Sequence, residues 1–271
     1  MTRKSQLLTA GALLALVALG GCASGPYANP RDPLEPLNRS VYKFNDAVDT
    51  AVLRPVATAY QDVVPSLVRR GVGNFFDNLQ DAWSFVNNSL QLKGAAAGDS
   101  FFRVAVNTFL GLGGVLDVAT EMRIERHTKD FGHTLGYWGV GPGPYLVLPL
   151  LGSSTLRDTA ALPVDIQGNI AGNLDHVPTR NTLTAVRLVD TRASLLSASD
   201  MLEQVALDKY SFTRDVFLQS RRSAIYDGNP PEEQEVMTIE AEPQNSVESR
   251  TDARSETSTH TGLSGDQKVT P

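Results

Sequence analysis

One cysteine in 271 residues, Cys22, limits what this chain can fold into. Without a second cysteine there is no intramolecular disulfide, so any folded domain depends on packing alone. The position of that cysteine adds a further constraint. Arg3 and Lys4 precede an apolar run from Leu7 to Leu19, and Gly20 and Gly21 lead into Cys22. A basic start, a short apolar stretch and small residues before a cut describe a secretory signal peptide. The run is too short for a spanning helix, which needs about 20 apolar residues. Leu-Gly-Gly-Cys resembles a bacterial lipobox, so residues 1–21 read as a lipoprotein signal peptide and Cys22 as the acylated lipid anchor. Residues 22–31, with Gly25, Pro26, Asn29 and Pro30, form an acylated linker. Such a linker reaches only about 30 Å when extended, which holds the following domain close to a bilayer. Ala23, where an aspartate would signal otherwise, points by resemblance to sorted lipoproteins to the outer membrane.

The far end of the chain is different in kind. From Asn229 to Pro271 nine acidic residues face three basic ones, aromatics are absent, and the few apolar residues have no period. Such a segment cannot bury enough apolar surface to offset its ordering entropy, so residues 229–271 read as a disordered acidic tail. The whole chain carries a formal charge of −6, most of it in that tail. Residues 32–228 are left as one nearly neutral domain with a sizeable core, and nothing in them suggests nucleic acid as a partner.

Within that domain the dominant period is helical. Val41, Phe44, Val48 and Val52 line one face of a helix that Pro55 is expected to end. Pro65 and Ser66 open a longer helix, with Ser66 as its N-cap and a core stripe through Val68, Val72, Phe75 or Phe76, Leu79, Trp83, Val86 and Leu90. Asp99 is expected to cap a third helix that is apolar nearly all round, from Phe101 to Leu110, with Arg103 and Asn107 on one side. A helix of that kind is either buried or faces lipid. Residues 131–152 pack six glycines and three prolines among aromatic and aliphatic residues, which reads as an apolar loop with neither helix nor strand. Helices return after Asn181, one opened by a capping box at Asp200 and Glu203 and a last one from Tyr210 to Ile225. The fold class expected is all-α.

Enzyme chemistry finds no support. The glycines at 111, 113 and 114 and at 139 and 141 fail to complete a nucleotide-binding loop, and the elbow G-x-S-x-G of serine hydrolases is absent. His127, Asp130 and His133 match no metal-site spacing and read as polar residues closing a turn. Arg157 and Asp158 read as an ion pair or a helix start. No catalytic residue, cofactor or metal is expected. Arg103, Arg157 and the arginines of the last helix are cations that can meet phosphate head groups at a membrane.

The blocks DPLEPLNRSVYKFND, LRPVATAYQDVVP, GVGNFFDNLQ, DFGHTLGYWGVGPGPYLVLPLLG and TLRD, followed by DTRASLL and DKYSFTRDVFLQSRR, closely resemble the MlaA family, also called VacJ. The resemblance implies an outer-membrane lipoprotein, lipid-anchored on the periplasmic side. It implies a ring-like helical domain in the inner leaflet, with a central amphipathic channel and no transmembrane span. Phospholipid would pass through it from the outer membrane to a soluble periplasmic carrier, maintaining lipid asymmetry, and a trimeric porin would hold the ring. Phe44, Asn45, Phe101, Phe102, Trp138 and Tyr145 are the candidate lipid-channel residues. The alternative is a structural or adaptor lipoprotein without lipid passage. The sequence departs from the family at Leu92, where glycine is common, and at Ser153, where proline is frequent.

Overall fold

The computed structural model describes Asn29 and residues 31–231. Cys22, the signal segment and the acidic tail from residue 232 onward lie outside the described residues.

Helix α1 (Glu35–Val48) runs through a π-helical turn at Asp49–Leu53 into α2 (Arg54–Val63). Pro55 therefore does not end a helix. It occupies the first turn of α2, where its missing N–H is no loss, and the wide turn before it absorbs the ring. Helix α3 (Ser66–Leu90) has Pro65, not Ser66, at its N-cap, without a side-chain cap. Helix α4 (Gly94–Phe109) starts a turn earlier than expected, so Asp99 lies inside it and contacts His127 at 3.1 Å. Helices α3 and α4 make the most extensive pairing in the fold. A short helix α5 (Val118–Glu121) follows, capped by Asp117.

Residues 131–152 are more ordered than their glycine and proline content suggests. Asp130 and His133 form a reciprocal capping box that starts α6 (Phe131–Tyr137). Strands β1 (Tyr145–Leu148) and β2 (Gly152–Thr155) then pair antiparallel, with Tyr145 opposite Thr155 and Leu148 opposite Gly152. The breakers are not in the way, because Pro144 precedes β1 and Pro149 sits in the turn. Two asparagines of α1 close the outer edge of β1. Asn38 donates to the Tyr145 carbonyl at 2.9 Å and accepts from the Val147 N–H at 2.9 Å. Asn45 does the same for the Leu148 carbonyl and the Leu150 N–H, at 3.0 and 2.8 Å. Side-chain amides thus stand where a third strand would pair.

Helix α7 (Leu156–Gly168) is capped by Thr155, so Arg157 and Asp158 lie in its first turn, and the two also form an ion pair at 2.9 Å. Helices α8 (Val177–Ser194), α9 (Leu196–Val205) and α10 (Lys209–Ile225) complete the domain. Asp200 and Glu203 lie within α9 rather than capping it, and both reach Arg54, at 2.6 and 3.2 Å. The fold is helical, with one two-stranded hairpin added. Among the described residues no helix is long and apolar enough to cross a membrane.

Candidate functional site

Helices α3 and α4 are packed the wrong way round for a protein in water. On α3 the residues turned inward include Asn78, Asp81, Ser84 and Asn88, continued by Gln91 at its C-cap, at three- and four-residue intervals. On α4 they include Ser100, Arg103 and Asn107. The aromatic residues point out: Phe102 is 58 % exposed and Phe109 84 %. Phe85, Phe101 and Phe102 form a row with ring centroids 5.7 Å apart, continued at the surface by Leu110, Leu112 and Leu116. The apolar stripe expected as core is therefore in large part surface, with Val68, Val86 and Leu90 exposed and Phe76 buried.

A polar interior is tolerable only if its groups are satisfied. Arg103, 1 % exposed, uses all five guanidinium N–H groups. Its Nε donates to Asp81 at 3.0 Å, Nη1 to Thr120 and the Ile124 carbonyl, and Nη2 to both oxygens of Asp117 at 3.0 and 3.1 Å. Burial pushes the Asp81 carboxyl up against the pull of Arg126 and Arg103. Asp117 is also penalised by burial, yet hydrogen bonds from Thr120 and Asn107 hold it below the usual carboxylate range. Arg103 is thus not available to a head group. The same correction applies to the other cations expected at a membrane. Arg157 is buried against Asp158, Arg214 against Asp32, and Arg221 bridges Asp130 and Asp158. These arginines build the interior.

A cavity of about 540 Å³ opens beside this network. Its wall takes Leu79, Gln80 and Trp83 from α3, Leu148, Leu151 and Ser153 from the hairpin, Leu162 and Asp165 from α7, Arg187 from α8, and Phe217 and Arg221 from α10. Aliphatic and aromatic groups cover most of it, and Asp130, Asp158, Asp165, Arg187 and Arg221 add charge to the wall. Burial disfavours an ionised Asp130, but hydrogen bonds from His133 and Arg221 overcome this and hold its carboxyl well below the usual range. Asp165 is pushed the other way, because burial outweighs the N–H donors of Phe131 and Trp83. Gly168 makes the wall close: a Cβ there would stand 2.3 Å from the Trp83 ring.

None of the six candidate channel residues lines this cavity. Phe44, Phe101, Phe102 and Trp138 are half exposed on the outside, with the Trp138 indole donating to the Leu90 carbonyl at 3.3 Å. Asn45 is engaged in closing the hairpin, and Tyr145 is fully buried with Val147 and Tyr210, its hydroxyl 2.8 Å from that of Ser153. Ser153 supplies a partner that a proline there could not. The residues that line the cavity, Asp165 and Arg187 above all, carry no motif. The signal that was present is the polar period on α3, which marks the inward face of an inverted helix.

A helical protein with charges inside and an aromatic band outside belongs to the class built to meet an apolar phase or partner. The particular family follows from comparison: the chain belongs to the MlaA lipoprotein family, whose profile matches residues 30–224. The intermembrane phospholipid transport system lipoprotein MlaA of Escherichia coli K12 is 37 % identical over 241 residues, covering 84 % of this chain and 92 % of the relative. The protein of the same name from Haemophilus influenzae is 33 % identical over 238 residues, covering 83 % and 92 %. A solved structure from work on the structural basis for maintenance of bacterial outer membrane lipid asymmetry superposes with a TM-score of 0.63 at 36 % identity. It covers 73 % of this chain and 99 % of the solved one.

Proposed function

We propose that this chain is a phospholipid-transport lipoprotein, anchored through Cys22 on the periplasmic side of the outer membrane, whose helical domain lies in the inner leaflet. Phospholipid leaves that membrane through the amphipathic cavity and passes to a soluble periplasmic carrier, which maintains lipid asymmetry. A trimeric porin holds the domain in place. Its role is passage, not chemistry. Phe44, Phe101, Phe102 and Trp138 meet the lipid from outside, while Asn45 and Tyr145 brace the hairpin that walls the cavity. The observation that carries this reading is the combination of an exterior rich in exposed apolar side chains with a cavity that is apolar on most of its wall and also lined by charged side chains. The relatives named for phospholipid transport support it, as does the lipobox.

The test is lipid content. Full-length protein extracted in mild detergent should carry phospholipid detectable by mass spectrometry. Leu162→Trp, which fills the cavity, should lose that lipid and raise outer-membrane permeability while retaining its circular dichroism spectrum. An adaptor without lipid passage would keep function in the filled variant.

A further inference from the structure

Five charged side chains line the cavity: Asp130, Asp158, Asp165, Arg187 and Arg221. Three of them neutralise one another. Arg221 holds Asp158 at 2.9 Å and also binds Asp130, whose other partner is His133, while Arg157 takes Asp158 from behind at 2.9 Å. The remaining two do not. Asp165 receives the indole N–H of Trp83 and the backbone N–H of Phe131, both at 2.8 Å and both on Oδ1. Its Oδ2 makes no hydrogen bond among the described residues, and no cation stands at ion-pair distance. Arg187 gives one weak bond, 3.3 Å from Nη2 to Gln80, and its guanidinium lies 5.9 Å from the Phe76 ring. It has no carboxylate partner among the described residues.

Two opposite charges on one cavity wall, each without an ion-pair contact among the described residues and not paired with each other, call for a guest that carries both signs. Their supports are adjacent: Gln80 and Trp83 are three apart on α3 and therefore share a face, which brings Arg187 from α8 and Asp165 from α7 against the same face of that helix. An anionic guest would satisfy Arg187 and be repelled by Asp165. Burial pushes the Asp165 carboxyl up and Asp130 adds to that, and the N–H donors of Phe131 and Trp83 with the more distant Arg221 do not offset it, so a further negative charge nearby is costly and a cation is welcome. Resting on the phospholipid reading above, we propose that the cavity prefers zwitterionic head groups, with Arg187 receiving the phosphate and Asp165 the ammonium.

The experiment uses the full chain in detergent, equilibrated with equal amounts of phosphatidylethanolamine and phosphatidylglycerol of matched acyl chains, with bound lipid read by mass spectrometry. The unaltered protein should hold phosphatidylethanolamine in excess by about fivefold, the size of one partly desolvated charge contact. Asp165→Asn keeps the Oδ1 acceptor for Trp83 and Phe131, so the wall stays built, and the ratio should fall to near one through added phosphatidylglycerol. Arg187→Gln, on a partly buried position that makes no ion pair among the described residues, should weaken retention of both lipids. Equal binding of the two lipids by the unaltered protein, or an unchanged ratio in Asp165→Asn, overturns the head-group preference while leaving phospholipid binding intact. Absence of both lipids from the unaltered protein overturns the phospholipid reading itself.

Discussion

The α3–α4 pair and the cluster around the hairpin solve opposite packing problems with the same twenty side chains. Around the hairpin, Tyr145, Val147 and Tyr210 are buried together, with Tyr42 edge-on to Tyr210 at 5.7 Å and Phe217 against Tyr145 at 6.1 Å. That is an aromatic core as water would make it. Polar groups at its border are tied off, since Asp32 accepts from Asn38 at 2.8 Å, from Arg214 at 3.2 Å and from the Tyr210 hydroxyl. Between α3 and α4 the hydrophobic effect has no inward direction to follow, and an arginine, carboxylates and amides hold the helices together instead. The difference teaches that the solvent of a helix is written in which stripe faces its neighbour. One region is organised for an aqueous surround and the other for an apolar one.

The contrast is broken most directly at its polar centre. Arg103→Met removes one of the two guanidiniums that hold the buried Asp81, leaving only Arg126, and strips Asp117 of its two-oxygen contact; it should cost about 3–5 kcal/mol in chemical denaturation of the detergent-solubilised protein. A loss under 1 kcal/mol would mean that the polar interior is incidental.

The joint between the regions comes next. Asp130, at the start of α6, is held by Arg221 of α10. The folded-state pKa of Asp130 is depressed, so its stabilisation is present above the unfolded value and is lost as pH falls toward the folded one. Arg221→Gln should therefore cost about 2 kcal/mol at neutral pH. That deficit should shrink as acid titration enters and passes below the ordinary carboxylate range. Parallel stability curves for the two proteins would assign the joint to packing rather than charge.

A smaller effect tests the turn of the inverted pair. Leu92 has φ of +57° and is 92 % exposed, so it carries backbone strain for no internal contact. Leu92→Gly should stabilise the solubilised protein by roughly 0.5–1 kcal/mol, since the left-handed conformation costs a non-glycine residue about 1–2 kcal/mol and glycine loses more freedom on folding. Binding to lipid vesicles should weaken in the same variant if Leu92 is retained for the bilayer. The smallest change in stability is expected at Phe109→Asn, within about 0.5 kcal/mol, because the ring packs on nothing inside. Vesicle association should nonetheless drop. A large loss of stability with unchanged association would return α4 to an ordinary core helix.

Much of this was legible in the chain. The helices announced themselves by period, and the family blocks covered the domain. Sequence reasoning went astray where apolar was equated with inside, at Val86 and Leu90, and left the α4 phenylalanines open between core and lipid, because periodicity defines two faces and does not say which is wet. The evenly spaced Asn78, Asp81, Ser84, Asn88 and Gln91 carried the missing information. The hairpin was hidden for another reason: its edge is completed by asparagines more than a hundred residues away, which no local propensity records. The cavity wall draws single residues from several elements, and only the fold assembles them.

Those two asparagines have one more consequence. Asn38 and Asn45 are seven residues apart on a helix, a rise of about 10.5 Å, while the groups they serve on the strand are displaced by three residues, about 10 Å. The two periodicities are commensurate here, so α1 works as a ruler laid along β1. A gauge of that kind fixes strand register from outside the hairpin. It also makes the stretch between Asn38 and Asn45 intolerant of length: one inserted residue would turn the second amide by about 100° and leave half the strand unmeasured.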